Sequence, residues 1–280
     1  MSATSASSVP APPPSPLRAA DLAFATDIAR EAGRILMDRY ERIERIDYKS
    51  ARDIVTEVDH LSEEMIIAAI RERHPGDGVL AEESGAHPTG QGHQPDAGSG
   101  RVWIIDPVDG TVNYANGIPF FCVSIGLAVD GRPSVGVVFD PARDELFAAS
   151  ADGPATLDGE PVRASEKEKL SDFVVQMALG GRAVVRRARA VRKQIRISRS
   201  MGSSALALAY VANGRFDAFI QQGGMSNWDV AAAGLIAERA GATVTAMDGG
   251  PWFEISAKSQ SVGVVAAPSA HHAALLALTR

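Results

Sequence analysis

The 280-residue sequence reads as a mixed α/β (α+β) protein built from two halves. Three features carry this expectation. Apolar residues fall at helical spacing over two early segments. Short apolar stretches punctuated by Asp-Gly pairs run between Val102 and Gly159. After Asp172, apolar strands alternate with alanine-rich helical stretches. At ~150 residues per domain, this length suits one large or two small domains. Such a chain buries roughly three-quarters of its unfolded surface, so its core needs neither disulfide nor structural metal.

The elements follow in order. Residues 1–17 (MSATSASSVPAPPPSPL) are mostly Ser and Pro and carry no charge before Arg18. They bury too little apolar area to offset their ordering entropy and are expected to form a disordered tail. They also lack the basic start and apolar core of a signal peptide. From Ala20 to about Ile43, the residues Leu22, Ala25, Ile28, Ala32, Ile35, Leu36, Tyr40 and Ile43 mark one helix. A second spans about Asp59 to Arg73, with Leu61, Ile66 and Ile70 inward and His74-Pro75-Gly76 ending it. Val79–Ala81 reads as a short strand and 85–101 as a mobile loop. Val102–Ile105 reads as a buried strand ending in a DPVDGT turn. Strands near 123–129 and 135–139 follow, with turns at Asp130-Gly131, Asp140-Pro141, Asp152-Gly153 and Asp158-Gly159. Strands near 173–178, 216–220, 243–246 and 262–266 then alternate with helices near 205–212, 230–240 and 270–278. The expected division is an N-terminal half over 18–165 and a C-terminal half over 166–280, meeting near 160–175.

Composition narrows the function. The chain has 28 basic and 34 acidic residues, a net charge of −6. That argues against a general nucleic-acid binder, since a phosphate backbone rewards excess Lys and Arg. Cys122 is the single cysteine. It admits no intrachain disulfide and suits a reducing, cytoplasmic compartment. No apolar run approaches the ~20 residues of a membrane span. The six histidines, at 60, 74, 87, 93, 271 and 272, show no zinc-site spacing.

Carboxylates sit beside structural punctuation at four places: Asp53 and Asp59 in DIVTEVD, Glu82 and Glu83 in LAEES, Asp106 and Asp109 in WIIDPVDGT, and Asp229 in NWDV. Glu82 and Asp106 end apolar strands, where ligands collect in α/β proteins. Taken singly, each has a bland reading as a turn, a solvated loop or a helix cap. If Asp59, Glu82, Asp106, Asp109 and Asp229 converge, their charges require a counter-charge, which two or three divalent cations supply. All-oxygen donors suit Mg²⁺. Pro107 fixes the backbone between two aspartates, so both carboxylates and the Val108 carbonyl are able to share one small volume. Gly110 lets an oxyanion approach backbone N–H groups, and Thr111 adds a hydroxyl at a helix start. Metals beside a phosphate seat suit phosphate-ester hydrolysis.

WIIDPVDGTVNYANGIPF and NWDVAAAGLIAERAGA, with DIVTEVDHLSEE and LAEES upstream, resemble the inositol monophosphatase family over most of residues 20–278. The resemblance implies a layered αβαβα sandwich, a homodimer, and a lithium-sensitive, Mg²⁺-dependent phosphatase of small polyol or sugar phosphates. It implies that Glu82, Asp106 and the Val108 carbonyl hold a first metal and Asp106, Asp109 and Asp229 a second, with Glu82 also placing a third. Thr111, partnered by Asp59, would orient the attacking water for in-line displacement without a phosphoenzyme. Gly110 and Thr111 would cradle the phosphate, and Lys49 resembles a family lysine near the site.

This sequence departs from the inositol-specific pattern where an acidic residue would bind ring hydroxyls. It has Gln221 or Gln222 there, in FDAFIQQGGMSNWD, and the loop to Trp228 is one residue longer than the resemblance leads one to expect. Ser203 and Ser204 fall where a small substrate-facing residue is expected, and residues 179–200 look short. That stretch is basic, with Arg182, Arg186, Arg187, Arg189, Arg192, Lys193, Arg196 and Arg199 and no acid between them. A solvated helix face is the favoured reading; contact with a second anionic group on the substrate is the sharper one. Inositol monophosphate is the substrate most in keeping with the resemblance. Histidinol phosphate, fructose bisphosphate and a 3′-phosphonucleotide stay open. An alternative of another class is a non-catalytic partner of transcription or ribosome-assembly machinery; the complete set of oxygen donors argues against it. Cys122 in FFCVSIGL and Trp252 read as core residues, Trp103 and Trp228 as packing beside the site, and His271-His272 as exposed.

Overall fold

A computed structural model describes residues 15–42, 45–50, 53–88, 100–179, 184–255 and 262–280. The expected disorder of the tail up to Pro14, most of the expected loop at 85–101, and Arg182 lie outside the described residues.

Helix α1 (Pro16–Arg39) starts on a proline, whose missing N–H is no loss in a first turn. The hairpin β1 (Ile46–Ser50) and β2 (Asp53–Thr56), which periodicity did not reveal, leads into α2 (Glu57–Arg73). Then come β3 (Gly78–Ala81), β4 (Gly85–His87), β5 (Arg101–Asp109) and the short α3 (Thr111–Ala115). A meander follows through β6 (Cys122–Val129), β7 (Arg132–Asp140), β8 (Glu145–Ser150), β9 (Thr156–Leu157) and β10 (Glu160–Pro161). The remainder is β11 (Val174–Ala178), α4 (Val184–Arg192), β12 (Ile197–Arg199), α5 (Ser204–Ala209), β13 (Ala218–Met225), α6 (Asn227–Arg239), β14 (Ala242–Ala246), β15 (Val262–Pro268) and α7 (Ser269–Leu278).

Strands β10-β9-β8-β7-β6-β5-β3-β4 form an eight-stranded sheet, antiparallel except for the β3–β5 pair. Strands β12-β11-β13-β15-β14 form a second, mixed sheet. The chain passes from the first sheet to the second between Pro161 and Val174. Strand alternation sorts the core. Trp103, Ile105, Val123, Ile125 and Val137 face α1 and α2. Cys122, Val138 and Phe147 of the first sheet, and Phe219, Val264 and Ala266 of the second, face α5 and α6. Val175, Ala218, Ile220 and Val265 face α4 and α7. The result is a five-layer αβαβα sandwich, as expected. The middle layer belongs to both sheets.

Helix α6 lies close on the first sheet. A Cβ on Gly136 would stand 2.7 Å from the Ala232 carbonyl oxygen and 2.8 Å from its Cα. Glycine in β7 therefore sets how deep this helix seats.

Three local expectations change. Gly85–His87 pairs with β3 as a strand rather than starting a mobile loop. Leu61 is exposed, because the inward face of α2 runs through Val58, Asp59, Ser62, Glu63, Ile66, Ile67 and Ile70. His272 is buried, with Nε2 3.1 Å from Thr245 Oγ1, and burial lowers its pKa; only His271 is partly open.

Candidate active site

Strand β5, the turn after β3 and helix α6 bring their acidic residues to one corner. Strand β5 runs through the DPVD segment instead of ending before it. Its ladder with β6 shifts register between Asp106 and Asp109. Pro107 donates no ladder bond, so an irregularity falls there and re-aims the flanking side chains. One carboxylate oxygen from each of Asp106, Asp109 and Asp229 lies within 4.8 Å of the others. Glu82 follows β3, with its N–H on the Ile105 carbonyl at 3.2 Å, and its side chain hydrogen-bonds Asp106.

Each carboxylate is held from behind. Asp106 Oδ1 accepts from the Val108 N–H at 3.1 Å. Asp109 Oδ2 accepts from Ser203 Oγ at 2.5 Å and from the Ala205 N–H at 2.7 Å. Asp229 sits at the third position of α6 and accepts from the Ser226 N–H at 2.5 Å, completing a capping box. The groups that fix a helix start thus also fix the site.

Burial pushes Asp106 well above the usual carboxylate range, and the charges of Glu82, Asp109 and Asp229 push it further. Asp229 is raised by burial and then by Asp109. Asp109 is raised by burial, but Ser203 and the amides opening α5 oppose the shift. Among the described residues, the dominant influences are carboxylates, hydroxyls and amides, with no cation among them. Such a cluster of hard oxygen donors fits a divalent cation, which would relieve the repulsion. Glu82, Asp106, Asp109, Asp229 and the Val108 carbonyl are the groups that would hold it. Cys122 lies 3.9 Å from Asp109 Oδ2, and burial plus the Asp109 and Asp106 charges keep its thiol protonated. It is a core residue rather than a nucleophile.

Beside the cluster, Thr111 Oγ1 lies 3.0 Å from Asp59 Oδ1 and 2.9 Å from the Val108 carbonyl. Asp59 is fully buried, and its Oδ2 accepts from the Thr56 N–H at 2.9 Å and Thr56 Oγ1 at 2.6 Å. The expected Thr111–Asp59 pair is formed. Gly110 has φ +97°, and a Cβ there would meet the Phe120 carbonyl and Ser203 at 3.1 Å. Both facts select glycine.

Toward the second sheet, Ser204 Oγ donates to Gln221 Oε1 at 3.2 Å. Ser203, expected among substrate contacts, is buried and instead braces Asp109 and caps α5 through the Leu206 N–H. Gln222, the next residue along β13, lines a cavity of about 430 Å³ with Arg187, Met247 and Asp248. Arg187 therefore faces the side of β13 away from Gln221. The other basic residues of this segment behave as a solvated face: Arg186, Arg189 and Lys193 are exposed, Arg192 bonds Ser198 at 3.3 Å, and Arg196 pairs with Asp172 at 2.8 Å. Lys49 and Asp53 lie in β1 and β2, and their side chains are outside the described residues.

Sequence reasoning missed two supports. Asn113 Nδ2 donates to the Phe120 and Met201 carbonyls, both at 2.7 Å, and so ties α3 to the turn before α5. Glu63 is buried and binds the backbone after Glu82. Its place four residues after Asp59, on one helical face, was the available signal.

The profile described as the inositol monophosphatase family matches residues 18–280. The chain is 37% identical over 241 residues to a Nus factor SuhB of Pasteurella multocida, covering 82% of this chain and 86% of the relative. It is 36% identical over 242 residues to an inositol-1-monophosphatase of Mesorhizobium japonicum, covering 83% and 88%. A crystal structure of extragenic suppressor protein suhB from Bartonella henselae superposes with a TM-score of 0.84 at 30% identity, covering 93% and 98% of the two chains. With the acidic corner and the five-layer fold, these matches show that the chain belongs to the inositol monophosphatase family.

Proposed function

We propose that the chain is a Mg²⁺-dependent, lithium-sensitive phosphomonoesterase of small polyol or sugar phosphates, with inositol monophosphate its model substrate. The observation that carries this reading is the convergence of Asp106, Asp109 and Asp229, with Glu82, beside the Asp59–Thr111 pair. Bound divalent cations would lower the pKa of a water and stabilise charge developing on the ester oxygens. Thr111 orients the attacking water, and Asp59, buried and braced by Thr56, accepts the proton relayed through the hydroxyl. The Gly110–Thr111 backbone seats the phosphate. In-line displacement then proceeds with no covalent intermediate on the protein.

Gln221 and Ser204 supply neutral hydrogen bonds at the substrate end. With its Oε1 engaged by Ser204, Gln221 presents an NH₂ group. That suits hydroxyls better than the ammonium of an amino-alcohol phosphate, so a polyol is favoured over histidinol phosphate.

The name of the SuhB relatives raises a binding role in transcription. Catalysis is the better-supported reading, because a pure scaffold gains nothing from buried carboxylates that repel one another.

The test is a phosphate-release panel with the purified full chain: inositol phosphates, histidinol phosphate, fructose 1,6-bisphosphate, glycerol phosphates and a 3′-phosphonucleotide. Expected are Mg²⁺-dependent release, inhibition by Li⁺, and a preference for a polyol monophosphate. Folded protein that releases no phosphate from any ester with Mg²⁺ present overturns the reading.

A further inference from the structure

We infer that Glu63 is a positioning residue that sets cation affinity by pinning the segment carrying Glu82. The inference rests on the reading of Glu82 as a cation ligand. Glu82 opens a three-residue turn, 82–84, between β3 and β4. Its own N–H is tied to the Ile105 carbonyl. The next two N–H groups both turn onto Glu63: Glu83 N–H to Oε2 at 2.8 Å and Ser84 N–H to Oε1 at 2.8 Å. Glu63 is 3% exposed, and each of its oxygens takes one bond. A carboxylate accepting two backbone donors makes a strong, directional clamp. It fixes where the turn leaves the strand, and so where the Glu82 side chain starts.

The clamp comes from the same helix face as Asp59. Asp59, Ser62 and Glu63 stand at i, i+3 and i+4 on α2, and all are buried. Asp59 holds Thr111, the Ser62 hydroxyl faces the Pro107 carbonyl at 3.5 Å, and Glu63 holds the turn after Glu82. One rigid helix thus registers the nucleophile-orienting threonine, the DPVD bend and the Glu82 turn against each other. From the end of the turn, Ser84 Oγ lies 2.6 Å from His87 Nε2 in β4, and Arg71 Nη2, also on α2, lies 3.1 Å from His87 Nδ1. The turn is therefore strapped to the helix at two points.

The experiment measures Mn²⁺ binding to the full-length, cation-stripped chain by electron paramagnetic resonance of free Mn²⁺. It compares the parent, Glu63→Gln and Glu82→Gln. A glutamine keeps the size of Glu63 but is unable to accept on both terminal atoms. Glu63→Gln is expected to weaken Mn²⁺ binding about 10- to 100-fold, the usual effect of losing a group that orients a ligand. It is also expected to raise the Mg²⁺ activation midpoint while kcat at saturating Mg²⁺ stays within about threefold of the parent. Weakening by Glu82→Gln with parent-like binding by Glu63→Gln overturns the clamp. Parent-like binding by Glu82→Gln overturns the ligand reading itself, so the two failures are separable. Lost kcat with an unchanged midpoint also overturns the clamp. Should Glu63→Gln not fold, amide exchange in the parent decides. Slow exchange at Glu83 and Ser84, accelerated in Glu63→Asp, is expected; fast exchange at these amides in the parent overturns the clamp.

Discussion

The seat of α6 on the first sheet makes a quantitative prediction for Gly136→Ala. The new Cβ would lie 2.7 Å from the Ala232 carbonyl oxygen and 2.8 Å from Ala232 Cα. Ordinary carbon contacts are about 3.5–4.0 Å, so something must move by about 1 Å. Neither partner is a flexible side-chain tip; both belong to backbone. Gly126 leaves no slack beside it, since a Cβ there would already stand 3.0 Å from Ala231. Helix α6 must therefore lift, at a cost of about 1–3 kcal/mol for overpacking. At roughly 2–4 °C for each kcal/mol, the melting temperature falls by about 2–12 °C. The helix carries Asp229 in its first turn, so lifting it also loosens the acidic corner. The rise in melting temperature on adding Mg²⁺ should shrink with it. Gly76→Ala is the control. Nothing lies within 4 Å of a Cβ there and φ is not positive, so alanine should stabilise by about 0.4–1 kcal/mol through the unfolded chain. Thermal melts of the three proteins, in chelator and in Mg²⁺, read all of this. A Gly136→Ala melt at the parent temperature refutes the packing argument. A full-sized Mg²⁺ increment in a destabilised Gly136→Ala refutes the link from sheet glycine to Asp229.

Two further outcomes follow from the site. Thr111→Val keeps the shape but removes the hydroxyl shared by Asp59 and the Val108 carbonyl, so kcat should fall about 10²- to 10⁴-fold with the Mg²⁺ midpoint near the parent's; steady-state kinetics with kcat unchanged would remove Thr111 from the chemistry. The pH dependence of the cation-free chain is set by Asp106, Asp109 and Asp229, all raised above the ordinary carboxylate value of 3.8. Raised folded-state pKa values mean that the folded chain holds more protons, so these groups favour folding below pH 3.8 and that contribution is lost as pH rises through their folded values. Added Mg²⁺ should therefore raise the melting temperature most at the high-pH end, and melts across pH with and without chelator check it; an increment largest in acid would contradict the repulsion argument.

The contrast between what was legible and what was hidden has a physical cause. Asp106, Asp109, Asp229 and Glu82 stand out because each sits beside a strand end or helix start whose own signals are strong, such as Pro107, Gly110 and the Ser226 cap. Local chemistry announces them. Glu63, Asn113 and Ser203 act across 20, 88 and 94 residues of chain respectively, on backbone or on another carboxylate; beyond the spacing of Glu63 from Asp59, no local pattern encodes such partners. Ser203 was placed at the right corner by its neighbourhood, and its buried hydroxyl turns onto Asp109. A hydroxyl beside a buried, repelled Asp109 stabilises that carboxylate by donating to it. Leu61 fails for a related reason. One apolar residue does not define a helix face, and α2 turns a polar end of its buried stripe, Asp59-Ser62-Glu63, toward the acidic corner. A helix that buries polar side chains at one end and isoleucines at the other is oriented by its site as much as by its core. That is why amphipathic counting misjudged this helix at the end where the chemistry lies.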